Sequence, residues 1–289
     1  MRLLIVGGTK FIGPHVVRRL VSLGHHVTVY HRGENESPLP DAVRHVRAAE
    51  AGIPVRSFPP TLFAGTPDVA IHMIAMGEQD TRAAIDAFRG RISRAVWISS
   101  GDVYRAYGRF TGIEPGPIEP VPLTEDSPLR SVLYPYRAKA DSPDDLAWSY
   151  EKVRMEQIAA SDAHLPATIL RLPKVYGPGG NADLATVHGF RDQPAWRWTH
   201  GFVENVAEAI VLAAVRPEAA GRIYNVGEAH TPTMAERLAG LPPSPMASAA
   251  PPGYNFAQDI VYDTSRIRRE LGYAEPVPEH EAMLRTVTA

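Results

Sequence analysis

Leu3-Leu4-Ile5-Val6-Gly7-Gly8-Thr9-Lys10-Phe11-Ile12-Gly13 passes from an apolar run through a glycine turn into a helix-like stretch that continues from Pro14 to Leu23. The pattern predicts a strand, a tight turn and a helix start. The first N–H groups of a helix lack partners within it and carry partial positive charge, and glycines allow a pyrophosphate to approach them closely. A dinucleotide site built on Gly7, Gly8, Thr9, Lys10, Phe11, Ile12 and Gly13 is the reading that follows. Gly24 then stands as a helix C-cap, and Val27-Thr28-Val29-Tyr30 supplies a second strand. That spacing suits a βαβ unit of roughly 30 residues.

The exit of this second strand reads His31-Arg32-Gly33, where an NAD-selective site usually places Asp or Glu on the ribose 2′-hydroxyl. Arg32 instead offers a planar donor fork to a 2′-phosphate. Lys10 occupies the middle glycine position of G-x-x-G-x-x-G and adds positive charge beside the phosphates. NADP(H) is therefore expected over NAD(H).

At 289 residues with 44% hydrophobic content, the chain suits one large α/β domain or such a domain with a small lobe. No apolar run approaches the roughly 18 residues of a membrane span, and the first strand begins at Arg2, which leaves no room for a signal peptide. The absence of Cys removes disulfides, thiolate metal sites and cysteine nucleophiles together. A cytoplasmic protein is expected. A net charge of −2 gives no basic surplus for nucleic acid or anionic membranes, so the expected partner is a small molecule. The 11 His are scattered without ligand spacing, and no metal site is expected.

Apolar runs alternate with amphipathic stretches along the chain, the rhythm of a parallel sheet covered on both faces. Strands are expected over 3–6, 27–30, 43–46, 69–73, 95–99, 167–172 and 223–226, and helices over 11–23, 81–88, 150–161, 203–215, 233–238 and 265–271. The fold class is a doubly wound (Rossmann) α/β sheet with a small C-terminal substrate lobe. Residues 1–177, completed by about 200–228, would form the dinucleotide-binding domain, and 178–199 with 229–289 the lobe. The proline-rich interval from Gly101 to Asp145 shows almost no periodicity and reads as a flap over the pocket. In such sheets ligands lie beyond the carboxyl ends of the strands.

Several segments in order carry a more specific signal. They are Ile71-His72-Met73-Ile74-Ala75, Trp97-Ile98-Ser99-Ser100-Gly101-Asp102-Val103-Tyr104, Tyr150-Glu151-Lys152-Val153-Arg154-Met155-Glu156, Arg171-Leu172-Pro173-Lys174-Val175-Tyr176-Gly177 and His200-Gly201-Phe202-Val203-Glu204-Asn205-Val206-Ala207. With these, the chain resembles an extended, atypical short-chain dehydrogenase/reductase of the NAD-dependent epimerase/dehydratase family. The resemblance implies a Ser/Tyr pair that holds a substrate hydroxyl or carbonyl while hydride passes to or from the nicotinamide, and assigns these roles to Ser100 and Tyr150. It also implies cofactor contacts at Ile74, Ala75, Leu172 and Pro173, and substrate contacts at Asp102 and Tyr104.

A phenol of ordinary pKa near 10 needs a fixed positive neighbour to work at neutral pH. The family supplies a Lys four residues on; this sequence has Arg154 there, facing Tyr150 if both share one helix. Asp102 sits where the family's dehydratases carry one acid of an Asp-Glu pair, while Gly101 takes the other's place, so a two-acid elimination is not expected. The reading is an NADP(H)-dependent oxidoreductase or epimerase acting through Ser100 and Tyr150 on a hydroxyl or carbonyl of a sugar-like substrate, with or without a linked nucleotide. The alternative is an NADP(H)-binding protein whose turnover is weak or lost because Arg154 replaces the family Lys. Fold-level analogy adds a homodimer to the expectations.

Overall fold

In the computed structural model, residues 1–33, 38–48 and 53–288 are described. Strands β1 (Arg2–Val6), β2 (His26–His31), β3 (Arg44–Arg47), β4 (Val69–His72), β5 (Arg94–Ser100), β6 (Ala167–Leu172) and β9 (Ile223–Asn225) form one sheet. Its order is β3-β2-β1-β4-β5-β6-β9, and all pairings are parallel. The short strands β7 (Lys174–Tyr176) and β8 (His200–Phe202) pair separately. The order reverses between β1 and β4, which opens a crevice above their carboxyl ends.

Strands buried on both faces read as continuous apolar runs, and their period of two divides each run between two cores. Leu3 and Ile5 of β1 face the core shared with α1 (Ile12–Ser22), α7 (Val203–Val215) and α9 (Ser265–Leu271). Leu4 and Val6 face the opposite core, with α2 (Glu78–Phe88) and α5 (Lys152–Ser161). A third cluster lies beyond the sheet and is rich in aromatics: Phe110, Phe190, Trp196 and Phe202 pack there with Tyr262. It is closed by α8 (Met234–Ala239) and α10 (Glu279–Val287), which contribute Met234, Ala282 and Met283. Ile267, Leu271 and Tyr273 pack on the sheet side, so α9 covers the sheet rather than the aromatic lobe.

Several segments differ from the sequence reading. The interval after β5 holds α3 (Arg105–Thr111), whose inward positions are Ala106, Gly108 and Phe110, a stripe too small-residued to show as apolar periodicity. The rest of that interval is tied down rather than free to flap. Leu123 donates its N–H to the Val261 carbonyl, and Asp263 donates back to the Leu123 carbonyl (2.8 Å). The helix α6 (Ala185–His188) and α10 were not anticipated, because each buries only two or three side chains. The helix expected from Tyr150 is interrupted: a short α4 (Leu146–Ser149) ends at Tyr150, and α5 begins at Lys152. Each of the two helices starts on its own cap. The Asp145 carboxylate accepts from Ala147 N–H, and the Glu151 carboxylate accepts from Val153 N–H, each satisfying a helix-start donor.

Candidate functional site

The glycine turn has the backbone that its sequence demands. Gly7 and Gly8 adopt φ of +91° and +95°, and Gly7 N–H donates to the Tyr30 carbonyl (2.9 Å), joining the turn to β2. A Cβ on Gly13 would lie 2.3 Å from Gly8 Cα, so α1 can press against the turn only with glycine there. Phe11 caps α1 at φ 48° without a side-chain hydrogen bond, and no acid stands in the first helical turn. The opening amides of α1 therefore meet no competing carboxylate of their own helix. Residues 7–12, the β2 exit 30–33 and Ile74 line one cavity with Met73, Ile53 and Val55. Lys10 is exposed and Arg32 half-buried on that lining. An adenine dinucleotide fits this cradle: glycines beneath a phosphate, apolar walls beside a base, and cationic side chains at the rim.

Gly13 and Ala75 lie under the cavity rather than on it. Ala75 offers its carbonyl to Lys152 Nζ. Leu172 is the register partner of Ser100, which puts Leu172 and Pro173 at the far end of the crevice, above β5 and β6.

At that end a second group of side chains assembles. Ser100 closes β5, and its hydroxyl accepts from Asp102 N–H (3.3 Å). Tyr136 donates its hydroxyl to Asp102 Oδ2 (3.1 Å), and its ring lies 5.2 Å from that of Tyr150. Asp102 Oδ1 is buried without a hydrogen-bond partner among the described residues. Burial raises the Asp102 carboxyl, with the Arg130 guanidinium opposing it. Burial also pushes the Tyr150 phenol well above its usual range; the neighbouring Asp102 adds to that rise and the Ser100 hydroxyl opposes it. The Tyr150 phenol is thus neutral at neutral pH.

Arg154 is not part of this group. The interruption at Tyr150 and Glu151 removes the i, i+4 relation, and Arg154 is exposed, with its guanidinium donating to Gln157 Oε1 (3.1 Å). Lys152 stands there instead: its Nζ is 5.7 Å from the Tyr150 ring centroid, and it donates to the carbonyls of Ala75 and Ile98 (2.9 Å to the latter). Burial lowers Lys152 to about 8, against the raising influence of Asp102, Asp80 and Glu156. The reason is that Lys152 opens α5 and points down into the sheet ends, whereas Arg154 is two residues around the helix toward water.

Tyr104 also leaves the candidate set. Its hydroxyl is fully buried, donating to Asn225 Oδ1 (2.6 Å) and accepting from Arg171 (3.0 Å). Arg171 in turn grips Glu156 (2.7 Å), which accepts from the Ser99 hydroxyl (2.6 Å). This network ties β5, β6, β9 and α5 together behind the site. Arg130 plays a similar part nearer to it: its guanidinium donates to Glu151 (2.8 and 3.0 Å) and to the Asp102 carbonyl (2.8 Å). Sequence reasoning gave no place here to Tyr136 or Arg130, and it set Lys152 aside because at i+2 from Tyr150 on one continuous helix it would project elsewhere. The lysine was visible beside Tyr150, but the helix break that brings it there was not.

His72 stacks on Trp97 with ring centroids 5.5 Å apart, and burial lowers it to about 3, so it is a neutral packing group. Trp196 stacks on Phe110 (4.6 Å) and donates to the Gln258 carbonyl (2.8 Å), which makes it part of the lobe core. No helix is long and apolar enough to cross a membrane among the described residues.

Known proteins extend this picture. Over 186 residues the chain is 27% identical to 2′-dehydrokanamycin reductase of Streptomyces kanamyceticus, matching 63% of this chain and 45% of the reductase; it spans less than half of that relative's length. The fold is similar to that of TunA, an NAD-dependent NDP-hexosamine 5,6-dehydratase (TM-score 0.72, 20% identity, 100% of this chain and 97% of that one). It is also similar to UDP-glucuronic acid 4-epimerase from Bacillus cereus, solved with UDP-glucuronic acid and NAD (TM-score 0.69, 16% identity, covering 100% and 98%). A family model described as "NAD dependent epimerase/dehydratase family" matches residues 3–227, and with the parallel sheet, glycine cradle and β5-exit cluster in place, the chain belongs to that family of enzymes.

Proposed function

We propose that this enzyme is an NADP(H)-dependent reductase or epimerase that acts on a carbonyl or hydroxyl of a nucleotide-linked, sugar-like substrate. The observation that carries the reading is the convergence of Ser100, Asp102 and Tyr150 at the β5 exit, with Lys152 5.7 Å from the Tyr150 ring, at the end of the crevice opened by the glycine cradle. The bound nicotinamide supplies or accepts the hydride. Ser100 holds the reacting oxygen by its hydroxyl, and Tyr150 delivers a proton to that oxygen on reduction or removes it on oxidation. Lys152 places a fixed positive charge by the phenol, which lowers the cost of the phenolate left behind. The neutral state of Tyr150 suits proton delivery, and the similarity to a protein named a reductase points the same way. The alternative of a cofactor-binding protein without turnover drew on Arg154 as the phenol's partner; Lys152 in that place favours turnover.

The preference for NADP(H) is supported by Arg32 on the cavity lining and Lys10 at its rim. Fluorescence titration is expected to show NADPH binding tighter than NADH by about 10- to 100-fold, the worth of a charge-assisted contact. Arg32→Ala should bring the two affinities together. Equal affinities in the unaltered protein would overturn the 2′-phosphate assignment, while binding of neither would overturn the cofactor site.

A further inference from the structure

Gly101 follows Ser100, and its backbone does not need glycine: its φ lies outside the left-handed range. What it needs is space. A Cβ there would lie 1.3 Å from the Tyr262 hydroxyl oxygen and 2.5 Å from its Cζ. The phenol therefore occupies the volume that a side chain at position 101 would fill.

Tyr262 reaches this place from a distant part of the chain, and it is firmly held. Its N–H donates to Thr199 Oγ1 (2.8 Å), its backbone bridges to Leu123, and Ile260 bridges to Trp198. The residue is 5% exposed, with its ring 5.8 Å from that of Tyr104. Burial keeps the phenol neutral, with the nearby Tyr104 and Asp102 adding to the effect. On the next residue along from Gly101, Asp102 Oδ1 is buried and without a hydrogen-bond partner among the described residues.

We infer that Gly101 and Tyr262 are a matched pair, and that Tyr262 is a specificity-determining residue, presenting a neutral hydroxyl over Gly101, between Ser100 and the buried Asp102 carboxyl, to bind a substrate hydroxyl or carbonyl oxygen. Donor and acceptor come from different segments, so that oxygen is recognised only when the C-terminal segment is seated on β5. The phenol also takes the space that any side chain at position 101 would need. This assignment rests on the β5-exit cluster being the reaction site.

Two measurements test it. Gly101→Ala is expected to lower the midpoint of thermal unfolding by about 5 °C, as an overpacked core position does, and to cost almost nothing in a Tyr262→Ala background. Equal losses in both backgrounds would overturn the pair. In the presence of saturating NADPH, Tyr262→Phe is expected to weaken binding of UDP-glucose, used as the probe, by about five- to tenfold, the worth of one hydrogen bond, while NADPH affinity changes less than about twofold. Identical UDP-glucose binding in the two proteins, including none in both, would overturn the substrate contact. Failure of the underlying reading looks different: Tyr150→Phe would then leave turnover unchanged, and the unfolding experiment would be unaffected.

Discussion

Tyr150→Phe is expected to abolish turnover of whichever compound a carbonyl and sugar-nucleotide screen identifies, lowering kcat by about 10²- to 10⁴-fold, the usual contribution of a positioned proton donor. The substitution removes only the hydroxyl. The ring keeps its packing on Tyr136 and its place at the end of α4, so NADPH binding and the unfolding midpoint should hold. Lys152→Met should also suppress turnover, whereas Arg154→Ala should stay within about twofold, because a solvated charge beyond the site is screened. The pH profile separates the roles further. Lys152, lowered by burial to about 8, carries its charge below that pH and loses it above. Turnover should therefore fall as pH rises through about 8, and residual activity of Lys152→Met should lack that limb. Unchanged turnover in Tyr150→Phe would move the proton transfer to another group, with Asp102 as the next candidate.

Arg130→Ala is expected to be the most destabilising of the single substitutions considered. Arg130 and Glu151 are paired with side chains 1% and 0% exposed. Removing one partner of such a pair leaves an uncompensated buried charge and costs about 3–5 kcal/mol. The loss reaches beyond the pair. Glu151 accepts from Val153 N–H as the cap of α5 and from Tyr134 N–H, and Arg130 also holds the Asp102 carbonyl. The substitution should thus loosen the start of α5, which carries Lys152, and the turn that carries Asp102. Chemical denaturation should register the stability change, with kcat reduced even at temperatures where the variant is folded. A loss under about 1 kcal/mol would mean that water reaches Glu151 and replaces the guanidinium.

Much of this architecture was legible along the chain because its determinants are local. The run from Leu3 to Gly13 contains an apolar strand, two glycines able to adopt positive φ, and a third small enough for a helix to approach; each requirement is met within eleven neighbouring residues. The strands at 3–6 and 95–98 announced themselves as continuous apolar runs because both of their faces are buried. Ser100, Asp102 and Tyr150 could be singled out along the chain because each lies beside a strand end or within a recognisable segment, and the fold brings the three together at the β5 exit. Arg154 and Tyr104 misled for a common reason: linear spacing says which residues could face one another, but not where a helix starts or which hydroxyls are already engaged.

The amino-acid sequence by itself determined the parallel sheet, the glycine cradle and the strand ends at which chemistry can occur, because these follow from backbone conformation and burial periodicity over short stretches. Only the tertiary structure decided which cation attends Tyr150, that Tyr104 belongs to a buried network, and that Tyr262 fills the space over Gly101. Those outcomes depend on capping carboxylates, long-range hydrogen bonds and contact between residues as far apart as 101 and 262, which no local pattern encodes.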